Sequence, residues 1–119
     1  MSQFISLEEA VAMTTLYREE KEKILADAFK GQNILCICET FDKDVIEKLL
    51  AKPGCAALRI YYGMDESLKV HAIIVAVNEK NEDILPKEAG LKDPDTGDDI
   101  AEQSRRCPDD CPPESPLNP

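Results

Sequence analysis

The chain has no tryptophan and only three phenylalanines and three tyrosines in 119 residues, so whatever core it builds is largely aliphatic. No apolar run approaches the ~20 residues that span a bilayer. Positive charge is scarce: 14 Lys and Arg face 24 Asp and Glu, a net charge of −10. That balance excludes the electrostatic footprint of a general nucleic-acid binder and disfavours an anionic membrane surface. Gly31, Gly54, Gly63, Gly90 and Gly97 are isolated, each at a cap or turn, so no phosphate-cradling loop is present. There is one histidine, and five cysteines is an odd number that argues against a closed disulfide framework. Glu8 and Glu9 arrive early and no basic residue precedes Arg18, which does not fit a secretory signal. The expectation is a cytoplasmic protein with free thiols.

Charge and proline are unevenly spread. Residues 1–77 hold 12 acidic and 9 basic residues; residues 78–119 hold 12 and 5, and seven of eight prolines lie at or beyond Pro86. The apolar pattern stops near Leu85. This divides the chain into a small domain, 1–85, and an acidic, proline-rich tail, 86–119, with too little apolar surface to offset the entropy of ordering it. A body of that size sits near the lower limit for independent folding, which favours docking or self-association.

Ser6-Leu-Glu-Glu9 is a capping box, and Leu7, Ala10, Val11, Thr14, Tyr17, Ile24, Leu25 and Ala28 follow at helical spacing. The pattern predicts a helix over 7–30, supported by a Glu19–Lys23 pair and stopped at Gly31. Its charged middle, 19–23, has no face to bury. Ile34-Leu-Cys-Ile-Cys38 leans towards a strand. Asp42 is placed to cap a second helix over 43–51, with Phe41 and Ile46 as a hydrophobic staple and Val45, Ile46, Leu49 and Leu50 as its apolar face. Cys55–Tyr62 and Lys69–Asn78, joined by a polar loop, predict an antiparallel hairpin. The second run is apolar at both parities, so it reads as a central strand covered on both faces. Asp83-Ile-Leu85 reads as a short returning edge. The fold expected is α+β: a long N-terminal helix, a short second helix, a small antiparallel sheet built on the 55–78 hairpin, and an extended tail.

Candidate chemistry is sparse. His71 lies inside the apolar run with no recognisable nucleophile partner, and reads as a structural histidine bonded to a backbone or carboxylate group. Arg59 and Tyr61 share one face of the partner strand. Exposed, they would hold a carboxylate or phosphate; covered, they form a satisfied polar patch. Cys36, Cys38, Cys107 and Cys111 could supply a four-cysteine zinc site if the tail folds back, although the spacing matches no zinc module. Cys107 and Cys111 alone suit a reversible disulfide. Asp93-Pro-Asp95-Thr-Gly97 superficially suggests a calcium loop but lacks its third acidic position and its closing Glu, so it reads as a solvated turn. Pro112, Pro113 and Pro116 crowd the C-terminal stretch, as in ligands of aromatic-lined grooves.

The segments M-T-T-L-Y-R, E-T-F-D, L-L-A-K-P-G-C, R-I-Y-Y-G-M-D and C-P-x-x-C-P-P together resemble a group of short uncharacterised bacterial proteins, mainly from the Bacteroidetes. The resemblance spans most of residues 6–116. It implies a bacterial single-domain protein and brings no activity, cofactor or catalytic residue with it. With no catalytic set in view, the leading expectation is a non-enzymatic interaction or accessory protein that binds another protein or itself, without cofactor. The alternatives are a thiol-based zinc or redox protein and, resting on net charge alone, an acidic decoy of nucleic acid.

Overall fold

The computed structural model describes residues 3–86 and 100–119. Helix α1 spans Leu7–Glu20 and opens on the capping box: Glu9 N–H donates to Ser6 Oγ at 3.0 Å, and the Ser6 hydroxyl donates to the Glu9 carboxylate at 3.2 Å. The helix stops ten residues before the expected end. Lys21 caps it, and the chain continues through turns that include one 3-10 turn at Asp27–Phe29. The charged stretch beyond Glu20 offers no apolar face whose burial would offset the cost of ordering another turn. Lys23 pairs with Glu20 at 3.6 Å rather than with Glu19. No residue of α1 is buried; Tyr17 donates to the Cys36 carbonyl and Arg18 to the Leu117 carbonyl.

Only the end of the 34–38 run is a strand: β1 is Cys38–Thr40, while Ile34 is buried in irregular chain. Helix α2, Lys43–Leu50, has Asp42 at its N-cap as expected, but the Asp42 carboxylate reaches Arg105 at 3.1 Å instead of a helix N–H. Val45, Ile46 and Leu49 point inward, whereas Leu50 lies outside the core with half its surface exposed. The hairpin forms as read. Strand β2, Cys55–Met64, pairs antiparallel with β3, Val70–Asn78, in a register that sets Ile60 opposite Ile74, with a bulge between Cys55 and Ala57. Leu49, Ile74 and Ala101 form the core, with Phe41, Val45, Ile46 and Leu58 packed against them.

β3 is the centre of the sheet. Its second edge is completed piecewise. Val70 N–H donates to Ile34 O at 2.8 Å, and Val70 O accepts from Arg106 Nη2 at 2.8 Å. Ala72 N–H is bonded by both oxygens of the Glu39 carboxylate, at 3.0 and 3.2 Å. Ile74 and Val75 pair with β5, Ile100–Ala101; Ala76 and Val77 pair with β4, Asp83–Ile84. Asn78 N–H donates to Glu82 O at 2.9 Å. A sixth strand, β6 (Arg105–Cys107), pairs with β1 and sets Glu39 opposite Arg106.

The boundary expected at residue 85 is therefore not where the fold ends. Ile100–Cys107, assigned from composition to an extended tail, supplies strands and a core residue, because β3 buries polar backbone that only more chain can satisfy. Cys107 and Cys111 are disulfide-bonded, and Ser115 and Asn118 close a turn near the C-terminus. The Asp93–Asp99 loop lies outside the described residues. No helix among the described residues is long and apolar enough to cross a membrane.

Glu39 also accepts from the Ser104 hydroxyl at 2.9 Å and lies 3.9 Å from Arg106 Nε, and both side chains are largely buried. Replacing Glu39 with Ala strands an N–H and a buried guanidinium, and is expected to cost about 3 kcal/mol of stability in urea unfolding. Glu39→Gln, which keeps one acceptor, is expected to cost less. Equal losses for the two variants would show that the carboxylate charge and its second oxygen are unimportant.

Candidate functional site

The two edges of the sheet differ. The far edge of β3 is closed by five separate segments, while β2 has no strand on its outer side among the described residues. Even-numbered side chains of β2 share the face on which α2 packs. An eight-residue helix is only about 12 Å long, and α2 covers Leu58 but not the strand beyond it. Ile60, Tyr62 and Met64 are consequently 53%, 79% and 60% exposed. The outer edge of β2 is therefore an open strand edge beside an exposed apolar strip.

On the opposite face, the Arg59 guanidinium bonds Asp83 and the Asn81 side chain, and reaches the Asn81 carbonyl at 3.3 Å. The Tyr61 hydroxyl donates to the other Asp83 oxygen. The Tyr61 bond first, and then the Arg59 contact, hold the Asp83 carboxyl below its ordinary range. Arg59 is the register partner of Val75 and Asp83 that of Val77, so this bridge crosses β3 directly above two buried valines. Both candidate residues thus spend their polar groups within the chain.

His71 is held between two carboxylates: Nε2 lies 2.7 Å from Asp65 Oδ2 and Nδ1 3.1 Å from Glu102 Oε1. The bond to His71 first, then the Lys69 and Ser67 N–H groups, hold the Asp65 carboxyl below its usual range. The ring ties the β2–β3 loop to the segment between β5 and β6. Pro112, Pro113 and Pro116 are all exposed, and the turn behind them is anchored to α1 through Arg18 and the Leu117 carbonyl.

The four cysteines considered for zinc are not equivalent. The disulfide takes Cys107 and Cys111 out of the set of thiolates, leaving Cys36, Cys38 and Cys55 free. Cys36 lies beside Arg106, whereas Cys38 is the register partner of Cys107. Among the described residues no group of three or more His, Cys, Asp or Glu is placed to hold a metal ion. Between α2 and β5–β6 lies a cleft of about 480 Å³, lined by Thr40, Phe41, Asp42, Lys48, Ile100 and Arg105 among others. Glu39, Arg106 and Asp83 make the polar contacts across β3, and none stood out in the sequence. Glu39 and Arg106 are far apart along the chain and sit in no motif. Asp83 could have been found as the one acid in the short returning strand, beside Arg59 and Tyr61 across the sheet.

Burial first, then the neighbouring Cys36 thiol, push the Tyr17 phenol up to about 12. The folded value lies above the unfolded one. The stability contributed by neutral Tyr17 is therefore complete below about pH 10 and is lost as pH rises through about 12. A tyrosinate absorbance titration is expected to show a step near pH 12 that disappears in Tyr17→Phe. A Tyr17 step at the ordinary phenol value would mean that the ring is not held against Cys36.

Set against protein-family models, curated proteins and solved structures, the chain matches none.

Proposed function

We propose that this chain is a non-enzymatic interaction module that binds another protein along the open edge of β2. The observation that carries the reading is the juxtaposition of an unpaired ten-residue strand edge with the exposed strip Ile60, Tyr62 and Met64. Strand addition uses both parts: backbone N–H and C=O groups supply affinity, and alternate side chains supply specificity. Edges that avoid pairing carry Lys, Pro, bulges or inward charges. β2 has no Lys or Pro, and its one bulge lies at the Cys55 end, away from the exposed strip. Its one charged residue, Arg59, is already engaged by Asp83, so the edge repels an incoming strand of neither sign.

A second copy of the chain is one such partner. An antiparallel β2–β2 pairing centred on Tyr61 sets Ile60 against Tyr62, Leu58 against Met64 and Arg59 against Gly63, with no like charges opposed. The resemblance to small bacterial proteins without an attached activity is compatible with an accessory role in the cytoplasm. The zinc reading gains no support from a set in which two of four sulfurs are oxidised.

The test is light scattering on size-exclusion fractions of the full chain, together with capture experiments at near-cellular concentration. The expected result is a dimer or a defined complex that Tyr62→Lys weakens roughly 30-fold, the size of an aromatic hot spot worth ~2 kcal/mol. Tyr62 is largely exposed, so this variant is expected to fold. A strict 13.2 kDa monomer with no protein retained in a Tyr62-dependent way would overturn the proposal.

A further inference from the structure

The β1–β6 ribbon brings three sulfurs to one place. Cys38 and Cys107 are direct antiparallel partners, so their side chains leave the same face of the ribbon. Cα atoms of such pairs lie about 4.5–5.5 Å apart. That range falls within the ~4.4–6.8 Å spanned by disulfides, so the backbone spacing of the pair suits a Cys38–Cys107 bond. Cys107 is already bonded to Cys111, four residues on, and Cys38 is free. The ends of the existing disulfide also differ: Cys107 is 1% exposed, whereas Cys111 is at the surface. A reagent in solution meets Cys111, while Cys107 is approached from within, along the ribbon, from Cys38.

We propose that Cys38, Cys107 and Cys111 form a thiol–disulfide exchange site, in which Cys38 attacks Cys107 and releases Cys111 as a surface thiol. The Cys38 thiol loses its proton and its thiolate attacks Cys107 Sγ. The Cys38–Cys107 bond forms as the Cys107–Cys111 bond breaks, and Cys111 leaves as a thiolate that takes up a proton. One disulfide and one thiol stand on each side of the step, so no external oxidant or reductant is needed. The exchange staples β1 to β6 and frees the loop beyond Cys107. The exposed Cys111 thiol is then a nucleophile for disulfides in solution or on another protein.

Glu39 and Arg106 occupy the ribbon face opposite Cys38 and Cys107, turned towards β3. Cys36 precedes β1 and has no register partner in the ribbon, so Cys38, which faces Cys107 directly, is the attacking thiol.

The test is time-resolved alkylation of the full, non-reduced chain, with each half-cystine mapped by mass spectrometry. In the wild type, Cys111 is expected to become labelled while a Cys38–Cys107 linkage accumulates, and in Cys38→Ser this Cys111 labelling is expected to be lost. In Cys111→Ser equilibrated with reduced and oxidised glutathione, Cys38–Cys107 is expected to exceed Cys36–Cys107 by roughly tenfold, since facing thiols react at high effective concentration. Cys111→Ser removes the Cys107–Cys111 bond but leaves Cys38 in place, so this arm does not depend on tolerance of change at Cys38. The proposal is overturned if Cys111 stays unlabelled in the wild type, if it is labelled equally in Cys38→Ser, or if Cys36 forms the dominant bond to Cys107.

Discussion

The second edge of β3 is the constraint around which the chain is arranged. A central strand buried over Ile74–Val77 carries N–H and C=O groups there that water does not reach, and each one left unmade costs about 1–3 kcal/mol. β2 satisfies one edge with a ladder broken only by the bulge at its start. The other is finished by β4, β5, the Ile34 carbonyl and two charged side chains. Glu39 stands in for a strand carbonyl at Ala72, and Arg106 for a strand N–H at Val70. These two residues face each other across the β1–β6 ribbon, so the register that pairs Cys38 with Cys107 also delivers both charges to β3. Segments from both ends of the chain are thereby committed to the central hairpin.

Closing that edge leaves an asymmetric sheet. The β4–β5 side is tied into the fold, with the Arg59–Asp83–Tyr61 bridge lying over Val75 and Val77. The β2 side has an open backbone and an apolar strip that a two-turn helix does not cover. Helix α1 adds no cover to the core, since none of its residues is buried; Tyr17 and Arg18 tie it to distant chain by hydrogen bonds to backbone carbonyls. Docking uses the unspent edge of the sheet, whereas thiol exchange uses the ribbon that completes the other edge.

The hairpin, α2 and the start of α1 were legible because each has a local cause. Ser6 and Glu9 cap one helix, Asp42 starts another, and apolar residues at both parities mark β3 as central. The end of α1 was not legible, since helical spacing at Ile24, Leu25 and Ala28 promised a buried face that the fold does not provide. Nor was the role of Ile100–Cys107. Two-residue strands have no periodicity to detect, and an acidic, proline-rich neighbourhood disguised them as tail.

Local patterns alone carry the α+β class and the hairpin, because propensity, capping and alternation act over a few residues. The short spacing of Cys107 and Cys111 also marked them as a pair, without deciding between a disulfide and a zinc site. Long-range packing is what brings Glu39 and Arg106 to β3, gathers Arg59 and Tyr61 on Asp83, and sets Cys38 opposite Cys107. Those choices depend on pairings between distant parts of the chain. They are set by which buried backbone groups still lack a partner once the local elements have formed.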